Sequence, residues 1–329
     1  MAEVKVGVVG VGALGRHHAR LYQECSNARL VGVYDISVEH GKKIADEFST
    51  VYFDDINKLA AEVDALSVAT PTDLHYEVVK GLLLQGKHIL VEKPITTTVE
   101  EANELVNIAK EQGVALMVGH VERFNPVMDY LEGKLDDPMF IEAHRLAPYP
   151  PSRPGMKPRG TEVGVTLDLM IHDIDVILHL VNSEVESVDA VGIPILSGSE
   201  DIANARIKFK NGCVANLTAS RVSPEVMRKI RVFQNNSYLS LDYQEKKGEV
   251  YSLAGMAINR EDVPINDHNA LLKELEDFVD SVGHCLETGQ VQAPRVSGEC
   301  GARALEIAVE ITRQIVELQA KKAAEKQKG

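Results

Sequence analysis

Hydrophobic and polar positions along the chain change rhythm near residue 120. Before that point, short β-branched runs alternate with amphipathic stretches. The apolar runs Lys5–Gly10, Leu30–Asp35, Val51–Phe53, Ala65–Thr70, His88–Glu92 and Ala115–Gly119 are almost uninterrupted. Continuous apolarity marks parallel strands buried on both faces, because a strand with one wet face would alternate. Between them, Ala13–Glu24, Val38–Glu47, Asp73–Leu84 and Val99–Glu111 carry helical spacing. Strand–helix alternation predicts βαβ units and an α/β Rossmann domain, a doubly wound parallel sheet, over residues 1–121.

The second part reads differently. A proline-rich loop, Pro148–Pro158, leads into one long helix, Val165–Val181. Strand patterns then follow one another directly: Ile202–Lys210, Val214–Arg221, Lys229–Gln234, Tyr238–Asp242 and Glu249–Leu253. Asn211-Gly212 between the first two is a type I′ hairpin signal. Runs of strands predict an α+β domain with a mostly antiparallel sheet, spanning 122–297. Helices His268–Leu286 and Gly298–Lys322 close the pattern, and 323–329 reads as a frayed tail.

Composition narrows the function. A length of 329 residues suits two domains. No apolar run reaches the roughly 18 residues of a membrane span, and the N-terminus enters a strand pattern without a signal-peptide core. Cys25, Cys213, Cys285 and Cys300 are scattered, which argues against a disulfide framework or cysteine zinc site and suits a reducing cytoplasm. A net charge of −14 argues against nucleic acid as a partner. Neither nucleic acid nor membrane is therefore expected as a partner.

Candidate chemistry begins at Gly10-Val11-Gly12-Ala13-Leu14-Gly15, a GxGxxG that follows a strand and opens a helix. Gly10 can make the tight turn, Gly12 admits a pyrophosphate, and Gly15 lets helix and strand approach. The helix N-terminus, with Ala13 and Leu14, offers free N–H groups to phosphates. Asp35 ends the next strand pattern, where a carboxylate accepts the ribose diol and repels a 2′-phosphate, favouring NAD over NADP. Its competing reading is a cap for the helix beginning near Val38. Thr70-Pro71 ends the fourth strand, so Thr70, Pro71 and His75 are candidates for the nicotinamide half, or a simple helix cap. His17 and His18 read as surface or packing residues.

The fifth strand ends in Glu92-Lys93-Pro94, which presents an acid and a base at the crevice end of the sheet. Lys93 there would stabilise a developing alkoxide, and its rival role is a surface salt bridge. On the helix Val165–Val181, Asp168, His172, Asp175 and His179 fall on one stripe of an otherwise apolar surface, with Asp173 on another face. Ionisable groups on a buried helix must face a polar cleft or satisfy one another. Asp168 four residues before His172 can fix the imidazole tautomer and raise its basicity, as a general base requires. A divalent metal at this spacing and a purely structural network are the other two readings; no third ligand cluster is evident, and no metal is expected.

These three features in this order resemble the Gfo/Idh/MocA oxidoreductases, and the resemblance covers essentially the whole chain. It implies Lys93 and His172 as catalytic residues with Asp168 in support, and NAD as cofactor. It further implies a C-terminal helix that packs back on the first domain, and a second-domain sheet that forms a homodimer or homotetramer. Gly119-His120-Val121-Glu122-Arg123-Phe124-Asn125-Pro126 and Leu167–Asp175 are similar to the branch that oxidises C3 of UDP-N-acetylhexosamines. From Ala143 to Thr161 the chain carries Arg145, Arg153, Lys157 and Arg159 and no acid, a local cationic run suited to an anionic nucleotide sugar or, alternatively, a solvated basic loop balanced by nearby acids. Arg123, Asn125, Tyr149, Arg153 and Arg159 are the candidate substrate residues, although Asn125 can equally cap a helix at Pro126. An inositol or free-aldose dehydrogenase, and a non-catalytic NAD-binding sensor, remain as alternatives.

Overall fold

A computed structural model describes residues 3–151, 160–254 and 257–326. The chain divides into two compact units, one of residues up to Phe124 together with Asn269–Arg303, the other of Asn125–His268 together with the chain from Ala304 on.

The first unit holds β1 (Val4–Val9), α1 (Ala13–Tyr22), β2 (Ala28–Tyr34), α2 (Val38–Glu47), β3 (Val51–Phe53) and α3 (Ile56–Glu62). It continues through β4 (Ala65–Val68), α4 (Thr72–Leu83), β5 (His88–Glu92), α5 (Val99–Gln112), β6 (Leu116–Gly119) and a 3-10 turn, Val121–Phe124. Its strands are all parallel, in the order β3-β2-β1-β4-β5-β6, so the winding reverses between β1 and β4. β4, β5 and β6 are buried at every position, as their unbroken apolar runs require. Helix α3 has no counterpart in the hydrophobic pattern. It is only two turns long, and is started by the Asp55 side chain accepting from Asn57 N at 2.8 Å.

The second unit begins with α6 (Pro126–Lys134) and β7 (Phe140–Leu146). A π-helical turn, Thr166–Met170, runs into α7 (Ile171–Val181). The strands β8 (Val185–Ile193), β9 (Ile202–Phe209), β10 (Val214–Ser220), β11 (Met227–Gln234), β12 (Ser237–Asp242), β13 (Lys247–Ala254) and β14 (Ala257–Asp262) follow. They form one sheet with β7, ordered β14-β13-β12-β11-β7-β10-β9-β8 and antiparallel except between β7 and β10. Two helices complete the chain: α8 (Ala270–Thr288) belongs to the first unit, and α9 (Gly298–Lys326) passes into the second at Ala304.

One face of this sheet is dry: Ile207, Leu217, Ile230 and Val232 pack in one cluster with Ile174 and Ile177 of α7 and Ile311 and Ile315 of α9. The free edge of β8 is covered by side chains of α9. Gln314 Nε2 donates to Val188 O at 2.8 Å, and its Oε1 accepts from Ala190 N at 2.9 Å. Gln319 Nε2 donates to Gly192 O at 3.3 Å. Satisfying an edge in this way removes a template for strand addition.

Three expectations change. Residues 269–297 group with the first unit rather than the second, because α8 packs against α1 and the 3-10 turn and buries Leu275, Phe278 and Val282 there. The C-terminal helix returns to that unit only at its start, where Gly298 and Gly301 leave room for Leu116 and Val118. The Asn211-Gly212 turn is not type I′, which needs positive φ at both residues. Only Gly212 is left-handed, at φ 91°, and Gly212 N donates to Phe209 O at 2.9 Å. This is a type I turn closed by a glycine.

Nor is the long helix α-helical throughout, since Ile171 N reaches back five residues to Thr166 O. Such π turns frequently mark functional segments. Behind it, Arg145 of β7 grips Asp173 of α7 with two parallel bonds, Nε to Oδ2 and Nη2 to Oδ1, each 2.9 Å, both side chains being buried. Removing one partner strands the other charge. Arg145→Met is expected to cost about 3–5 kcal/mol in urea unfolding, and Arg145→Met with Asp173→Leu to recover most of it. A single variant as stable as the parent would disprove this account of the pair.

Candidate functional site

The glycine turn has the shape a dinucleotide needs. Gly10 sits at φ 81°, and a Cβ there would press on the Ala69 carbonyl at 3.0 Å. A Cβ on Gly15 would meet Gly10 O at 1.9 Å, so α1 approaches the turn after β1 this closely only because residue 15 is glycine. A Cβ on Gly12 would meet nothing within 4 Å: that side is open. Gly12, Ala13 and Leu14 are exposed at the helix tip, and Gly12 caps α1 without any side-chain bond, so the first-turn amides point outward unused.

The Asp35 carboxylate binds the turn itself. Oδ2 accepts from Val11 N at 3.0 Å and Oδ1 from Ser37 N at 2.9 Å. The cap of α2 is Ser37, not Asp35. Asp35 thus keeps acceptor capacity toward a ribose diol. His40, which the sequence did not single out, adds a bond to Val11 O at 2.9 Å. At the end of β4, Thr70 Oγ1 is buried and has no hydrogen-bond partner, while its methyl group packs where a Gly10 Cβ would lie. An orphaned buried hydroxyl beside the glycine turn is what a polar ligand would complete. The residues present therefore fit a dinucleotide.

Pro71 starts α4 from the N-cap position. His75 lies inside, away from any ligand face, with Nδ1 at 2.9 Å from Pro94 O and Nε2 at 2.9 Å from Thr70 O. It ties the end of β4 to the Lys93-Pro94 turn, whose peptide is cis, and burial lowers its pKa.

Glu92 points inward, not into the crevice. Its Oε1 lies 3.0 Å from His18 Nε2 and its Oε2 accepts from Lys93 N at 3.3 Å. His18 is consequently a buried partner of the Glu-Lys-Pro turn, a role its place in the sequence did not disclose. Burial alone would raise the Glu92 pKa, but the His18 hydrogen bond and the positive charges of His18 and Lys93 prevail and lower it. Lys93 stays partly accessible at the strand end. His120 is buried nearby: desolvation, then the positive charges of Lys93 and Arg123, push it down to about 3, so it is neutral.

In the second unit, Asp168 lies in the π turn and His172 in the first turn of α7, each half-buried where most of the helix is buried. The rest of the predicted stripe divides. Asp175 is buried, while His179 Nε2 pairs with Glu132 Oε1 of α6 at 2.7 Å and is engaged away from Asp168.

Among the candidate substrate residues, Asn125 caps α6, its Oδ1 accepting from Val127 N at 3.1 Å and its Nδ2 donating to Tyr243 O at 3.3 Å. Arg123 is buried in the first unit, with Nη2 3.4 Å from Arg295 O. Tyr149 is half-buried just beyond β7. Arg145 is removed from the cationic run by Asp173. Arg153, Lys157 and Arg159 lie outside the described residues. Among the described residues, no group of three or more His, Cys, Asp or Glu is arranged to hold a metal, and no helix is long and apolar enough to cross a membrane.

Comparison with known proteins agrees with this geometry. The family profile described as "oxidoreductase family, NAD-binding Rossmann fold" matches residues 4–120, and that of the GFO/IDH/MocA C-terminal domain matches 130–237. A UDP-N-acetylglucosamine 3-dehydrogenase from Acidithiobacillus ferrooxidans is 37% identical over 86% of this chain and 90% of its own length. A solved structure of that enzyme from the same organism superposes with a TM-score of 0.87 at 35% identity, covering 96% of this chain and 98% of its own. An NAD-dependent scyllo-inositol 2-dehydrogenase of Bacillus subtilis is 30% identical over 68% of each chain.

One group in the first unit stands without a partner. Glu274 of α8 is fully buried, and neither carboxyl oxygen has a hydrogen bond. Desolvation, with the negative charges of Glu92 and Asp277, raises its pKa well above the usual carboxylate range, so the side chain is held as the neutral acid. Because the folded state keeps a proton that the unfolded state releases, stability is complete below the ordinary carboxylate pKa and falls as pH rises toward the folded one. Glu274→Gln, which imitates the neutral acid, is expected to gain on the order of 1–3 kcal/mol over the parent at pH 8. It is expected to show little difference at pH 4. Equal pH dependence of parent and variant in thermal unfolding would refute the neutral assignment.

Proposed function

The chain belongs to the Gfo/Idh/MocA family of NAD-binding oxidoreductases, and on that premise we propose that it oxidises the C3 hydroxyl of a UDP-N-acetylhexosamine. The observation that carries this reading is the set Lys93, Asp168 and His172, each half-buried: Lys93 directly after the wholly buried β5, Asp168 in the π turn and His172 in the first turn of the largely buried α7. A sensor that only binds NAD needs the glycine turn and Asp35 but none of these three. The choice of sugar is supported by the 37% identical relative of that activity and by the cations Arg153, Lys157 and Arg159, which a neutral inositol or aldose would not require.

In this reading Gly10–Gly15 and Asp35 hold the pyrophosphate and adenosine ribose, and Thr70 Oγ1 gains a polar partner when the nucleotide is present. His172, supported by Asp168, removes the proton of the sugar hydroxyl. Lys93 stabilises the negative charge that develops on that oxygen. NAD held by the glycine turn would supply the hydride acceptor, so that the alcohol could be oxidised to the ketone. Glu92 and His18 fix the backbone from which Lys93 projects, and His75 joins it to the end of β4.

We place the protein in the cytoplasm, where Cys25 and Cys213, buried and free, stay reduced. We assign its homo-oligomer contact to the half-exposed face of the second-unit sheet. There Phe140, Phe233, Tyr238 and Tyr251 form a ladder with ring centroids 4.7–5.6 Å apart.

His172→Ala is expected to lower kcat about 10²–10⁴-fold while NADH affinity, read by fluorescence, stays within a factor of about two. Near-normal turnover with UDP-N-acetylglucosamine would sink the assignment of the base, and turnover with inositol but not with nucleotide sugars would sink the choice of substrate. Asp35→Ser removes a charged acceptor worth about 1.5–3 kcal/mol. The ratio of kcat/KM for NAD to that for NADP is therefore expected to fall at least about tenfold, and an unchanged ratio would show that Asp35 does not select the cofactor.

A further inference from the structure

Arg221, immediately after β10, is 2% exposed, and all of its guanidinium nitrogens are engaged. Nε donates to Asp201 Oδ1 at 2.8 Å. Nη1 donates to two backbone carbonyls, Gly160 O at 2.6 Å and Val163 O at 2.9 Å. Nη2 donates to the hydroxyls of Ser197 and Ser199 at 3.0 and 3.1 Å, with Glu200 O at 3.4 Å. Asp201 is fully buried and accepts from the amides of Ile195, Leu196 and Ser197 at 2.6–2.9 Å and from the Ser197 hydroxyl at 2.7 Å. Glu200 carries the linkage on: Val165 N donates to its carbonyl at 2.9 Å and Thr166 N to its Oε1 at 3.4 Å.

Four of these bonds end on the segment that delivers the chain to Asp168. Gly160 and Val163 are held by Arg221, and Val165 and Thr166 by Glu200. Gly160 is left-handed, at φ 82°, and a Cβ on it would stand 2.3 Å from Asp168 Oδ2. The carboxylate of Asp168 thus lies against the bare Cα of Gly160, and Gly160 is where Arg221 holds it. A buried ion pair is weak evidence for stability, since apolar residues of the same volume often serve a fold as well. What apolar residues cannot do is bridge one carboxylate, three carbonyls and two hydroxyls at fixed angles. Nor can lysine, with three donors on a single nitrogen.

We propose that Arg221, seated on Asp201, is a positioning residue for the Asp168–His172 pair: it fixes the 160–166 turn and with it the orientation in which the Asp168 carboxylate supports His172. The inference rests on the reading of His172 as the base and adds a residue that touches neither substrate nor cofactor.

Arg221→Lys keeps the charge beside Asp201 and loses the fork. Its kcat per NADH-binding site is expected to fall about 10–100-fold, with KM for NAD and the NADH dissociation constant within about twofold of the parent. A merely structural role would lower the melting temperature and the fraction of competent protein but leave kcat per NADH-binding site unchanged. Gly160→Ala gives a second approach. Its new Cβ presses on the Asp168 carboxylate and strains the left-handed backbone that Arg221 holds, and the same loss of kcat is expected even where Arg221→Lys fails to fold. Wild-type kcat per site in Gly160→Ala and in any folded Arg221→Lys, with His172→Ala inactive, overturns this inference alone. A fully active His172→Ala overturns the reading of the base and this inference with it.

Discussion

A charge inside a protein persists only beside a partner, and the two units of this chain are organised around that requirement. In the first, the Glu92 carboxylate is buried beneath the backbone of Lys93 and held there by His18 of α1. In the second, Asp173 next to His172 is held by Arg145, and Asp201 by Arg221. Glu92 and Asp173 each adjoin a group assigned to chemistry, and Asp201 is linked to the segment before Asp168 through Arg221. Shifting such an acid would expose an unpaired charge to the interior, at a cost of several kcal/mol, so the neighbouring backbone is held within narrow limits. The accessible groups, Lys93, Asp168 and His172, inherit their positions from these inaccessible ones.

Glu274 shows the same constraint met by the other route. With no cation or donor in reach, its carboxyl keeps its proton rather than remaining charged. The nearby carboxylate of Glu92 can then stay ionised, since two buried carboxylates side by side cannot both do so. A negative Glu92 under the Lys93 turn and a neutral Glu274 behind it are thus two halves of one electrostatic arrangement.

The sequence disclosed those features whose cause is local. An unbroken apolar run can only be a doubly buried strand, and β4, β5 and β6 lie where such runs placed them. The roles of Gly10 and Gly15 follow from the turn they make. What it concealed depends on partners far along the chain. β7 alternates buried and half-buried residues, and β8 exposes polar positions at an edge that α9 covers from more than a hundred residues away, so neither reads as a continuous run. His18 is 74 positions from Glu92, and Arg221 is 61 from Gly160, so no periodicity could pair them. The same reason explains the misjudged residue. Arg145 carries a binding-type side chain, and only the fold shows that the buried acid Asp173 already engages it.

The segment that carries the cations assigned to the substrate is anchored at both ends. The cationic residues assigned to the nucleotide sugar lie between Ala147 and Gly160. Ala147 N donates to Ser220 O at 2.8 Å, and Gly160 O accepts from Arg221 at 2.6 Å. Two consecutive residues at the end of β10 therefore hold both ends of that segment, and Arg221 holds Val163 as well. In the proposed reading, changes of sequence between these two anchors would alter the charge offered to a substrate and leave the bonds that hold Gly160 and Val163 in place. Removal of Arg145 from the cationic run fits the same division. It lies on β7, before the first anchor, and its charge is committed to the fold through Asp173. Charges that select a substrate then belong between the anchors, and charges that hold the acid–base pair belong outside them.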